Sequence, residues 1–156
     1  MLKIIELEFR NEYSNYLYKI FEGINFSNYY FEVLEDDIIN NIDGNIKSNL
    51  FDKRIIDYKT FIEVTQNNSY YILFTTIKAY RKEVATDKII PRNCSDVAKS
   101  NCDVMIICYD CCYVYVFIIN EKLTERIMHN CQIIYPKAKI ITLEEMNGFY
   151  FQCSPN

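Results

Sequence analysis

Seven cysteines carry the most distinctive chemistry in this 156-residue chain. Cys108-Tyr-Asp-Cys111 is a CxxC followed directly by Cys112, with Cys94 and Cys102 upstream. A structural zinc ion takes four thiolate or imidazole ligands in a tetrahedron, normally as two closely spaced pairs. Here Cys108 and Cys111 make one such pair, while Cys94 and Cys102 stand seven residues apart. These four are the candidate metal ligands, against the ordinary role of cysteine as a small buried hydrophobe. Redox chemistry of the thioredoxin kind needs a CxxC at a helix N-terminus, where the dipole lowers the thiol pKa. This CxxC falls between two β-prone runs and is expected at a hairpin tip, without that help. No cofactor is called for by the pattern.

His129, the single histidine, is expected on a helix end or the surface. Cys131 lies two positions on and would project from a different helical face, so a Cys–His nucleophilic pair is not expected. Among the carboxylates, Glu35, Asp36 and Asp37 form the densest run. Their spacing lacks the alternation and terminal Glu of a calcium loop, and they are read as a solvated acidic segment and a candidate partner-binding site. Glycines occur only at positions 23, 44 and 148, so no phosphate-cradling Gly-rich loop can be built. Nor does any G-x-S-x-G, H-E-x-x-H or kinase-type sequence appear.

Net charge is −4, and residues 1–66 hold twelve acidic against seven basic side chains. That balance excludes the basic stripe a nucleic-acid binder needs, while a basic protein surface is a fitting partner. The opening Met1-Leu2-Lys3-Ile4-Ile5-Glu6 lacks the apolar core of a signal peptide. No window approaches the ~20 uncharged apolar residues of a membrane helix. Cysteines odd in number without a secretory signal are expected as reduced thiols in the cytoplasm.

The elements that must position these groups follow from periodicity. Leu2–Phe9 alternates as a strand, and Tyr13, Tyr16, Leu17, Ile20 and Phe21 then recur on one helical face, with Asn11 as the cap and Gly23 as the stop. Tyr29–Leu34 reads as a strand and Asp43-Gly44 as a hairpin turn with both residues at positive φ, its partner strand lying around Ile46–Phe51. Asp57 caps a helix over Tyr58–Thr65, ended by Asn67-Asn68. Ser69–Tyr80 is the longest strand candidate, with Tyr70, Ile72, Phe74 and Thr76 predicted on one face. One helical turn is expected at Cys94–Lys99. Val104–Tyr109 and Cys112–Ile119 form a hairpin, Asn120 caps a further helix through Cys131, and strands close the chain at Ile140–Leu143 and Phe149–Phe151. The mixture predicts one α+β domain over residues 1–156: a mostly antiparallel sheet of about five to seven strands, covered on one face by about three helices.

Three stretches together carry a resemblance: Asn11–Ile20 after the leading strand, Tyr70–Tyr80, and Asn101–Asp110 followed by Tyr113–Phe117. They are similar to a family of small uncharacterised bacterial proteins catalogued only as a domain of unknown function. The resemblance covers nearly the whole chain. It implies a bacterial cytoplasmic origin and carries over no functional residue.

The leading expectation is a non-catalytic protein-binding module, of which an immunity or inhibitor role is one version, docking through an aromatic sheet face or the acidic segment. The alternatives are an enzyme or small-ligand receptor with an unrecognised pocket and a Cys-bound metal, or a homodimer paired along a strand edge. Membrane and nucleic acid are not expected partners.

Overall fold

The computed structural model describes residues 1–146; the strand expected at Phe149–Phe151 and Cys153 lie outside them. Elements follow one another as β1 (Lys3–Glu8), α1 (Tyr16–Phe21), β2 (Tyr29–Ile42), β3 (Asn45–Ser48), β4 (Ile55–Asp57), α2 (Tyr58–Asn67), β5 (Ser69–Arg81), α3 (Cys94–Lys99), β6 (Val104–Tyr109), β7 (Tyr113–Ile118), a 3-10 turn (Glu121–Leu123), α4 (Thr124–Ile134) and β8 (Lys139–Ile141). All eight strands join one sheet in the order β3-β2-β5-β6-β7-β1-β8, with β4 alongside the first part of β2. Every strand pairing is antiparallel. The α+β class is therefore as the periodicity predicts. The counts are corrected: the described residues hold eight strands rather than about five to seven, and four α-helices rather than about three.

Strand alternation sorts the core into two layers. One face carries Ile5, Leu7, Val104, Ile106, Cys108, Val114, Val116 and Ile118, packed under α1, α2 and α4 through Leu17, Ile20, Phe61, Ile127 and Cys131. Phe21, Phe31 and Phe61 converge there, the last two stacked 3.9 Å apart. Truncating Phe61 to Ala leaves a void worth roughly 3–5 kcal/mol. The opposite face carries Ile4, Tyr80, Met105, Ile107, Tyr115 and Phe117, under Val97 of α3 and the irregular chain around it.

Several local signals act as expected. Asp57 caps α2 by accepting from the Thr60 amide at 2.7 Å. Asp43 and Gly44 have φ of 49° and 82°, both left-handed, as a tight hairpin of this kind demands. Gly23 ends α1 at φ 74°. Other details differ. Asn15, not Asn11, precedes α1, because residues before it are drawn to the sheet, where Ser14 and Tyr70 exchange backbone hydrogen bonds. Asn68 ends α2 in an extended, not left-handed, conformation, and its side-chain Nδ2 donates to Val64 O. The β6–β7 turn spans Asp110–Cys112, one residue longer than read, with Asp110 and Cys111 at positive φ.

Two irregularities reshape the long β2–β5 ladder. The register shifts between Val33 and Glu35 and again between Asp37 and Ile38. In β5 the second shift places an extra residue between Ile72 and Phe74, so Tyr70 and Ile72 share the helix face with Ile77 and Ala79. A strictly alternating reading therefore fails beyond Leu73. A bulge changes which parity faces the core.

Candidate functional site

The structure does not bring the four candidate metal ligands together. Cys108 is buried on the helix-covered face, whereas Cys102 and Cys94 belong to the opposite layer, with the sheet between them. Cys111 stands at the β6–β7 tip, its amide donating to Leu73 O at 3.1 Å. Among the described residues, no three His, Cys, Asp or Glu side chains are grouped to hold a metal ion. Burial pushes the Cys102 thiol up to about 11 and the Cys108 thiol further, so both are protonated thiols at neutral pH. His129 lies exposed on α4.

Glu35, Asp36 and Asp37 are strand residues in the middle of β2, not a solvated turn. Asp36 faces the helix layer, where its two oxygens accept from the Leu50 and Phe51 amides at 2.8 and 2.7 Å. Burial raises its carboxyl pKa, against the lowering effect of those two hydrogen bonds. Glu35 is half-buried and Asp37 exposed. Only Asp37 of the three projects fully toward solvent.

The polar chemistry that is built into the fold lies elsewhere, on β5. Lys78 is completely buried, and its Nζ donates to Asp87 Oδ1 and to Ile89 O, each at 2.6 Å. Asp87 Oδ2 accepts from Ser100 Oγ at 2.6 Å and from the Asn101 amide at 2.8 Å, while Oδ1 also takes the Ile89 amide at 3.0 Å. Burial alone would raise this carboxyl. The hydrogen bonds from Lys78, Ser100, Asn101 and Ile89 outweigh it and hold the group well below the usual carboxylate range. Across the ladder from Lys78 sits Glu32, also buried, with Arg54 reaching its Oε2 from the surface at 3.3 Å. Tyr30 and Tyr80 stack beside them at 5.4 Å. Lys78 thus stands between a cross-strand Glu32 and a bonded Asp87, and its contacts with Asp87 and Ile89 fasten residues 82–103 to the sheet. An ammonium buried and paired in this way acts as an anchor, not as a nucleophile.

Where β5 ends, a second cluster forms. Asp103 Oδ2 accepts from Tyr29 OH at 2.6 Å and Asn120 Nδ2 at 3.2 Å, and forms an ion pair with Arg81 Nε at 3.3 Å. Burial, then the bonded Asp103 carboxylate, raise the Tyr29 hydroxyl to about 12. A cavity of about 350 Å³ opens here, lined by Arg81, Asp103, Ile119, Asn120 and Lys122. Sequence patterning marks Glu32 only as part of the acidic N-terminal stretch and singles out none of Lys78, Arg81, Asp87, Asp103 or Lys122. One signal was legible: Lys78 interrupts an otherwise apolar and aromatic run, as a buried cation with a dedicated partner does.

The third feature is the β2–β3 hairpin. Residues 41–49 are all exposed, and among the described residues no strand pairs with the outer edge of β3. Ile46 is 72% exposed and Ile42 45% exposed. Asn41 pairs with Ile46 and Ile42 with Asn45, so the two isoleucines sit on opposite faces of the ribbon.

Comparisons with known proteins match this geometry to no assigned activity. The sequence profile of the family "Protein of unknown function (DUF2691)" matches residues 2–149. A relative from Bacillus subtilis (strain 168), "Uncharacterized protein YncE", is 23% identical over 128 residues, covering 81% of this chain and 82% of the relative. No solved structure shows significant similarity to the chain.

Proposed function

The chain belongs to the DUF2691 family of proteins of unknown function, and from its own geometry we propose that it is a non-catalytic module binding a protein partner through the β2–β3 arm. One observation carries the reading: nine consecutive exposed residues, 41–49, present an open β3 edge with Ile46 on one face of the arm and Ile42 on the other. An unpaired edge offers a row of backbone donors and acceptors to an added strand, and flanking apolar side chains supply the contact area. Asp37 and Asp43, both exposed near the arm, favour a partner of basic character, consistent with an immunity or inhibitor role. The buried Lys78–Asp87 pair and the protonated buried thiols support a binding role over a catalytic one. Among the described residues no helix is long and apolar enough to cross a membrane, and the six described cysteines are free thiols, which suits a cytoplasmic setting.

The test is native mass spectrometry of the tagged full chain purified from its host, beside Ile46→Lys and Asp37→Lys variants. We expect a stoichiometric partner, read from its mass as another protein or a second copy, that Ile46→Lys releases without loss of fold and Asp37→Lys weakens. A bare chain, or a partner equally retained by Ile46→Lys, would overturn the reading.

A further inference from the structure

We propose that the cavity at the end of β5 is an oxyanion site, taking a small ligand through a phosphate or carboxylate group held between Arg81 and Lys122. The site goes beyond the protein-binding arm and is independent of it, since the arm extends from the other end of β2.

The argument begins with how Arg81 is held. Its Nε meets Asp103 Oδ2 at 3.3 Å, and that carboxylate is itself buried and fixed by Tyr29 OH and Asn120 Nδ2 on the same oxygen. The Asp103 backbone is pinned too. Its amide donates to Ala79 O at 2.9 Å, and its carbonyl accepts from the Ile119 and Asn120 amides at 2.9 and 3.2 Å. A guanidinium gripped through Nε keeps its terminal nitrogens for a second acceptor, and the planar fork suits the paired oxygens of phosphate or carboxylate. Its other ion pair, Nη1 to Glu83 at 3.8 Å, joins side chains 49% and 68% exposed, a contact that solvent screens and a ligand can displace.

Lys122 enters the same cavity from the turn before α4 and makes no ion pair among the described residues. Two cations thus line one concavity in a chain whose net charge is −4, while the Asp103 carboxylate in the same lining already accepts two hydrogen bonds and pairs with Arg81 on one oxygen. That arrangement disfavours a metal cation and favours an anion. Ile119 supplies an apolar wall, and about 350 Å³ falls within the range of small-molecule sites, roughly 300–1,000 Å³. A nucleic-acid strand is not the source, because no basic stripe continues from the site.

The experiment is an NMR titration of the full chain with inorganic phosphate and, separately, acetate at fixed ionic strength, following the Arg81 Nε–H and the Asn120 and Lys122 amides. Saturable shifts confined to these groups are expected. Lys122→Gln, at an exposed residue, keeps the wild-type melting temperature and weakens binding about tenfold, the usual effect of losing one charge-assisted hydrogen bond. Saturation by phosphate alone assigns a phosphoryl ligand; saturation by acetate assigns a carboxylate. Shifts that grow linearly without saturation for both anions, or an unchanged affinity in Lys122→Gln, overturn the proposal.

Discussion

Two segments that leave the sheet are built on opposite principles. Residues 82–103 hold no strand and only the six-residue α3, yet they are tied down by a buried charge pair, and their own Val97, Ser100, Cys102 and Asp103 are buried. Residues 41–49 carry a regular antiparallel ladder and bury nothing. Regular hydrogen bonding and anchoring to the core are therefore separable. The first segment has spent its polar groups on holding itself in place; the second keeps an edge and two isoleucines available. The contrast is why the arm, rather than the anchored loop, is the place to look for a partner.

The contrast breaks most decisively at Asp87. Removing it leaves Lys78 fully buried with the Ile89 carbonyl as its hydrogen-bond acceptor and Glu32 across the ladder as the facing carboxylate, and breaking a buried pair by removing one partner costs about 3–5 kcal/mol. Denaturant unfolding of Asp87→Ala should show a loss of that size. A Lys78→Met/Asp87→Ala double variant should lose less than Asp87→Ala alone, because no orphaned ammonium remains. If Asp87→Ala costs under about 1 kcal/mol, the loop is held by its apolar contacts and the distinction between the segments fails.

A smaller effect sharpens the same point through pH. The Asp87 carboxyl is depressed in the folded chain and titrates near about 3.9 when unfolded. Its contribution is thus complete above about pH 5 and falls with acidification, because the unfolded state takes up the proton first. Between pH 4 and the folded pKa the slope from this one group approaches about 1.4 kcal/mol per pH unit. Midpoints measured from pH 6 to pH 3 should fall more steeply for the wild type than for Asp87→Asn. Parallel curves would mean the carboxylate is not held as the four hydrogen bonds imply.

These features differ in how far the sequence announces them. The helix-covered face was legible, since Tyr16, Leu17, Ile20 and Phe21, or Ile106, Cys108, Val114 and Val116, follow simple periods of 3.6 and 2. The length of β2 was not. Glu35, Asp36 and Asp37 look like a solvated break, but Asp36 spends its charge on two backbone amides, and the bulges turn the polar run onto mixed faces. The CxxC misled for a related reason. Spacing along the chain places Cys108 and Cys111 close together, but alternation across the sheet separates Cys108 from Cys94 and Cys102. The Lys78–Asp87 and Arg81–Asp103 pairs join residues through tertiary folding of an irregular loop, for which sequence offers no period. Lys78 within an apolar strand was the sole local trace of either.

The smallest expected effect is on the arm itself. Ile46 is 72% exposed, so Ile46→Lys removes almost no buried area and should shift unfolding free energy by no more than about 0.5 kcal/mol, as for an ordinary surface substitution. Amide exchange supplies the matching kinetic readout. The arm amides of Asn45 and Lys47 should exchange by local opening, whereas the Ile89 and Asn101 amides, bonded to Asp87, should be protected despite lying in irregular chain. Should Ile46→Lys cost more than about 1 kcal/mol, or the arm prove as protected as the loop, Ile46 is part of the stabilising structure. Its exposure would then no longer argue for a partner.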